Sequence, residues 1–174
     1  IAKLGDGVMQ LQAGKIDALV IANITGATPQ EYADMCKTLS AAGGVDTSCK
    51  LYFPNDAADD LHADTAQIPD AEPAVTTAYA QAITEQLIAH NALPKGSQVL
   101  VISKDGDALS LDMNEAFLAG LRESGSTGEL MYMGSLVNTF LDNFNCTTVR
   151  VTVEGKPFST GHSEYDKPLQ AFTF

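Results

Sequence analysis

The sequence predicts an α+β fold: a small mixed or antiparallel sheet with two main helices on one face. The expected order is β-α-β-β-α-β, preceded by an α-β-α extension. Three observations carry this expectation. Val75, Tyr79, Ile83 and Leu87 recur at every fourth position, the signature of a helix with one apolar stripe. Val99/Val101 and Leu109/Leu111/Met113 alternate on either side of Asp105-Gly106, a strong hairpin dipeptide because a type I′ turn needs positive φ at both central residues. Val149, Val151 and Val153 alternate as a third strand with one apolar face. Two single-striped helices laid over one face of a small sheet bury all these positions together.

Taken in order, Gly7–Ala13 reads as a short helix closed by Gly14, and residues 15–22 as a buried strand. Thr28-Pro29-Gln30-Glu31 is a capping box with proline at the first helical position. Tyr32, Met35 and Leu39 follow at helical spacing until Gly43-Gly44. We assign residues 1–48 to an N-terminal extension and 49–174 to the main domain. A strand over Lys50–Phe53 opens that domain and stops at Pro54, and an acidic loop is expected over Asn55–Glu72. The long helix over 74–91 and a turn over Asn91–Gly96 lead into the hairpin. Asn114–Leu121 reads as a short helix and Glu123–Ser126 as a loop. Ser126-Thr127-Gly128-Glu129 has capping-box spacing ahead of Leu130, Met133, Val137, Phe140 and Phe144. The last strand, Cys146–Val153, is followed by a turn at Glu154-Gly155-Lys156-Pro157. Leu169, Phe172 and Phe174 predict that the closing segment packs back on the domain.

Composition narrows the function classes. Hydrophobic residues make up 45% of the 174 and charged residues 18%, a globular balance. The net charge of −12 is concentrated after Lys50, where no Lys or Arg occurs until Lys95. Such a surface repels phosphate backbones and anionic lipid, which excludes nucleic acid as a partner. No run of 18 apolar residues is present to span a membrane. The start at Ile1, with neither Met nor a basic leader, reads as a processed or truncated chain, so it does not argue for the cytosol.

No constellation of residues along the chain amounts to an enzyme. There is no nucleophile elbow, P-loop or dinucleotide fingerprint. Cys36, Cys49 and Cys146 lack CxxC spacing and do not cluster with His62, His90 or His162, against a zinc site. Small buried or half-buried thiols are the expectation for them, with a Cys36–Cys49 pair open if the chain is exported. Asp56, Asp59, Asp60, His62 and Asp64 lack the EF-hand register and read as a solvated acidic loop. Ser159-Thr160-Gly161-His162 sets a hydroxyl near an imidazole but implies no orienting acid. Asp105 and Asp107 are turn residues. Asn23-Ile24-Thr25 and Asn145-Cys146-Thr147 fit glycosylation sequons. Met131 and Met133 suit a core more than an adaptable interface, and Tyr132 and Phe158 are candidate contact residues. Catalytic, cofactor-binding and metal-ligating residues are therefore expected to be none.

An ordered series of landmarks gives a family resemblance over residues 50–174. Leu51-Tyr52-Phe53 and Leu93-Pro94-Lys95-Gly96 precede the hairpin, and Leu109-Ser110-Leu111-Asp112 forms its second arm. Phe117, Ser126-Thr127-Gly128-Glu129, Val137-Asn138-Thr139-Phe140 and Val149–Pro157 follow, and Gly161-His162 and Lys167-Pro168-Leu169 close it. In this order they resemble a GerM domain, the sporulation and spore-germination module of spore-forming bacteria. The resemblance implies a ring-building-motif-like fold and a noncatalytic scaffolding or protein-interaction role at the cell envelope. It further implies an extracytoplasmic, lipoprotein-like location in a Gram-positive spore-former or relative, with a membrane tether upstream. The implied partners are other envelope proteins or cell-wall material. A second resemblance covers residues 7–23, where Gly14-Lys15-Ile16-Asp17-Ala18 and its flanks are similar to a helix–strand unit of bacterial amino-acid-binding proteins. It implies the alternative function, a small-molecule binding module of the solute-binding class.

Overall fold

The computed structural model describes residues 46–174 apart from residue 70. The expected α-β-α extension, its capping box at Thr28, Cys36 and the segment 7–23 lie outside the described residues. Within them the fold is α+β, as expected. Strands β1 (Thr47–Pro54) and β2 (Leu61–Ile68) precede helix α1 (Thr77–Ala89). The hairpin β3 (Val99–Asp105) and β4 (Ala108–Met113) follows. Helices α2 (Glu115–Glu123) and α3 (Gly125–Asn143) lead to β5 (Thr148–Val153), and two short strands close the fold, β6 (Phe158–Ser159) and β7 (Glu164–Tyr165).

The strands form three small sheets. β1 and β2 pair antiparallel, and so do β6 and β7. The central sheet has the order β3-β4-β5 and is mixed: β3 runs antiparallel to β4, and β5 parallel to it. Helix α1 packs against β1 and β3, and α3 against β1 and β5. Leu109, Leu111, Met113, Val149, Val151 and Val153 all turn into the core, where they meet Ile83, Leu87, Val137 and Phe140.

Local chemistry explains the element boundaries. The Thr76 hydroxyl accepts from the Tyr79 N–H and starts α1. Val75 therefore falls outside the stripe and is exposed, while Tyr79, Ile83 and Leu87 are buried. Asn114 caps α2 through the Phe117 N–H. The expected loop over Glu123–Ser126 shrinks to Ser124, which joins α2 directly to α3. The capping box expected at Ser126 does not form: α3 already begins at Gly125, no side chain caps it, and Glu129 turns into the core. At the far end Lys104 Nζ donates to the Phe144 and Asn145 carbonyls, placing a cation on the α3 C-terminus.

The expected acidic loop contains β2. The strand Leu-His-Ala-Asp-Thr-Ala-Gln-Ile lacks the β-branched run that marks a buried strand, because its side chains are mostly exposed. Its one acid, Asp64, suits an edge strand, where a charge discourages further pairing. The free edge of β1 is blocked by α3. Asn143 accepts from Lys50 N–H and donates to its carbonyl, and Thr139 accepts from Tyr52 N–H.

The central hairpin turn also differs from expectation. Asp105 pairs with Ala108, so the two central residues are Gly106 and Asp107, one position later than expected. Of these only Gly106, at φ 56°, is left-handed, the pattern of a type II′ turn. The type I′ pattern occurs instead at Glu154 (φ 48°) and Gly155 (φ 75°), between the bridged pair Val153 and Lys156. Gly106→Val is expected to destabilise the domain by about 1 kcal/mol or more, since a β-branched residue resists positive φ. Nothing lies within 4 Å of a Cβ at that position, so backbone strain alone sets the loss. A denaturant midpoint equal to that of the unaltered chain would refute the turn assignment.

Candidate functional site: the outer face of the central sheet

Strand alternation gives the central sheet a core side and an outer side. The outer side carries Ser110 and Asp112 from β4 and Arg150 and Thr152 from β5, with Ser103 and Val101 opposite them on β3. Val101, Asp112 and Thr152 thus form one row across the sheet, and Ser103, Ser110 and Arg150 the next. Together with Gly155 these residues line a shallow open depression.

A β-bulge shapes the β3 side of this face. Val99 pairs with Met113 and Val101 with Asp112, so the register shifts at Leu100. Val99 and Ile102 point inward, while Leu100 and Val101 are 38% and 57% exposed, side by side. This corrects the expected Val99/Val101 alternation. The sequence does carry a signal: four consecutive aliphatics, Val99-Leu100-Val101-Ile102, are more than a one-sided strand can bury. β3 is also an edge strand, and among the described residues the Val99 N–H is satisfied by the Gln81 side chain at 2.9 Å.

The polar groups of the face are mostly engaged in holding the fold. Asp112 Oδ1 accepts from the Thr152 hydroxyl at 2.6 Å and the Gly155 N–H at 2.8 Å, fixing the turn after β5. Arg150 donates to the Asp166 carbonyl at 2.9 Å and ties down the closing segment. What remains on the face is the Val101 side chain with the Ser103 and Ser110 hydroxyls in a shallow depression, and exposed Leu100 adjoins Val101 in the chain. This surface suits contact with another surface better than capture of a small molecule.

The residues singled out in the sequence fall elsewhere and are not brought together. Asp59 accepts from the Asn55 side chain, and His62 and Asp64 lie on β2. Among the described residues no group of three or more potential metal ligands converges. Thr160 Oγ1 accepts from the His162 and Ser163 N–H groups, so that hydroxyl shapes the turn between β6 and β7. The Asp107 carbonyl accepts from the Thr147 N–H. Met131 and Met133 are buried, and Tyr132 is half-buried. Phe158 is no contact residue: it is buried, stacked on Tyr165 at 4.8 Å and edge-on to Phe117. Cys49 is buried, which pushes its thiol up, and Cys146 is half-buried.

Two polar clusters join residues far apart in the sequence. Lys50 Nζ lies 2.7 Å from Asp142 and 5.0 Å above the Tyr52 ring, and the Tyr52 hydroxyl donates to the same carboxylate. The hydrogen bond from Lys50 holds the Asp142 carboxyl below the usual carboxylate range. This cluster fastens β1 to α3 at the surface. In the interior, the Tyr165 hydroxyl donates to Glu129 Oε1 at 2.7 Å. Burial, reinforced by the Glu129 hydrogen bond, pushes the Tyr165 hydroxyl well above its ordinary value. This bond anchors the β6–β7 hairpin to α3.

Small mixed and antiparallel sheets backed by helices, with one open sheet face, define an α+β module of the kind the landmark series implied. The chain belongs to the Germane family, described as sporulation and spore germination, whose model matches residues 50–159. No curated protein matches significantly. Among solved structures, the tandem GerMN domains of the sporulation protein GerM from Bacillus subtilis are similar, with TM-score 0.51 and 13% identity. That similarity covers 74% of this chain and 46% of the other, so this chain spans about half the tandem-domain length. A Clostridium perfringens protein described as a "putative lipoprotein" aligns with TM-score 0.47 and 15% identity, over 72% of this chain and 87% of that one. The family match begins at residue 50, beside the first landmark at Leu51, and excludes the segment 7–23.

Proposed function

We propose that this protein is a noncatalytic interaction and scaffolding module of the cell envelope in sporulation. It works outside the cytosol on a membrane tether and meets another envelope protein through the outer face of β3-β4-β5. The observation that carries the reading is the bulge at Leu100, which displays two adjacent aliphatic side chains on an edge strand. Exposed apolar side chains grouped at a sheet edge favour association, because covering them removes apolar surface from water. Membership of a sporulation and germination family supports the setting. The solute-binding alternative rests on residues 7–23, and no feature of the described residues favours it.

Replacing Leu100 and Val101 together by Lys tests the contact, because a Lys at position 101 faces Asp112 and creates no like-charge pair. Both side chains are already partly exposed on an edge strand, so stability should change by about 1 kcal/mol or less per site. Recovery of envelope partners by the tagged full-length protein should fall at least tenfold. Undiminished recovery by the double variant would overturn the assignment of this face.

A further inference from the structure

The two edges of the central sheet are treated differently. At the β5 edge the closing segment pairs with the strand: Val149 N–H donates to the Leu169 carbonyl at 2.9 Å and accepts in return at 2.7 Å. At the β3 edge, Asp105 pairs with Ala108 to close the hairpin, so alternate β3 residues turn their N–H and C=O groups away from β4. These are Val99, Ile102 and Lys104, with the register step at Leu100 setting the first apart from the others. The Val99 N–H is taken by the Gln81 side chain of α1. Among the described residues the corresponding groups of Ile102 and Lys104 have no partner. Lysine commonly guards such an edge. Here the Lys104 ammonium is drawn to the core side, where it donates to the Phe144 and Asn145 carbonyls.

Two residues of extended chain span about 7 Å, so open groups at 102 and 104 match the repeat of an added strand. The neighbouring side chains define what that strand carries. Val101, Ser103 and Asp105 follow one another on the outer face as an aliphatic, a hydroxyl and an acid, all exposed. Asp107 adds a second exposed carboxylate at the turn, and among the described residues neither is paired with a cation. The net charge of −12 further favours a basic segment. We propose that the outer-face contact is made by strand addition, with an extended segment of the partner lying antiparallel along Val101–Asp105. That segment places a Lys or Arg opposite Asp105 and an aliphatic residue opposite Val101. Main-chain hydrogen bonds supply the hold, and the two cross-strand pairs supply the selection. This mode of contact rests on the outer-face reading above and adds the chemistry of the partner.

Amide exchange of the full chain, followed by NMR, tests it with the peptide acetyl-Lys-Val-Thr-Val-Val-amide. In the free chain the Ile102 and Lys104 amides should exchange faster than those of Val101 and Ser103, which face β4. With peptide at about ten times its Kd, the first two should slow about tenfold. Methylating the backbone nitrogens of the second and fourth peptide residues removes the donors that face Ile102 and Lys104, and should abolish the slowing. Asp105→Lys should weaken the peptide about threefold, and Glu in place of the peptide's Lys should recover the loss. Amides at 102 and 104 already protected in the free chain, no slowing at millimolar peptide, or equal slowing by the methylated peptide each overturn strand addition. An Asp105→Lys chain indifferent to the peptide's charge overturns the assigned orientation. If replacing Leu100 and Val101 by Lys still costs the envelope partner while the peptide protects nothing, strand addition fails and the outer face stands as the contact.

Discussion

Phe140→Ala is expected to destabilise the domain by about 3–5 kcal/mol, the usual range for deleting a fully buried aromatic side chain. Phe140 is completely buried on α3 and stacks on Phe144 at 5.7 Å. Phe144 in turn meets Tyr79 of α1 edge-on at 5.8 Å. The ring therefore links the two long helices across the core, and its removal leaves a cavity with stiff walls. Domains of this size are stable by about 5–15 kcal/mol, so this one change consumes a large share. Phe140→Leu retains most of the volume and should cost much less. Urea unfolding of both variants checks this, and a loss below about 1 kcal/mol for Phe140→Ala would show that the core is not packed as described.

Gly120→Ala should also be strongly destabilising, by about 2 kcal/mol or more, although it sits within helix α2. In an open helix the same change would stabilise by about 1 kcal/mol, because Ala loses less conformational freedom than Gly. Here a Cβ would come within 2.7 Å of the Pro94 Cγ. Pro94 has no rotamer to escape into, and it lies in the turn between α1 and β3, shortly before Gly96 at φ 83°. The sign of the effect decides the matter. A gain in stability would mean that the Leu93-Pro94-Lys95-Gly96 turn does not rest on α2.

Much of the fold was legible because its signals are local and periodic. The α1 stripe, the α3 apolar positions and the Val149–Val153 alternation needed no partner to be recognised, and all but Val75 and Leu130 are buried. The ordered landmarks likewise pointed to the family that the match over residues 50–159 establishes. β2 was hidden because an exposed edge strand with few aliphatic residues, preceded by Asp56, Asp59 and Asp60, has the composition of a loop. The hairpin turn was misplaced by one residue because Gly106 has Asp on both sides, and only the register tells which of them is central. The proposed contact surface was illegible for a different reason. The bulge at Leu100 is a mismatch between two strands, and the hydrogen bonds by which Asn138 holds the Phe172 backbone span 34 positions. Neither leaves a periodic trace in one sequence. Glu129 shows the same limit: its spacing from Ser126 suggested a cap, whereas its partner, Tyr165, is 36 residues away.

The proposed function requires the outer face of the central sheet to meet an envelope partner. The most direct test places a photocrosslinking residue at Val101, and separately at Glu85 on the exposed side of α1, in the full-length protein of sporulating cells. Crosslinking from position 101 to one envelope protein, with none from position 85, is the predicted result. No crosslink from 101, or the same products from both positions, would contradict it.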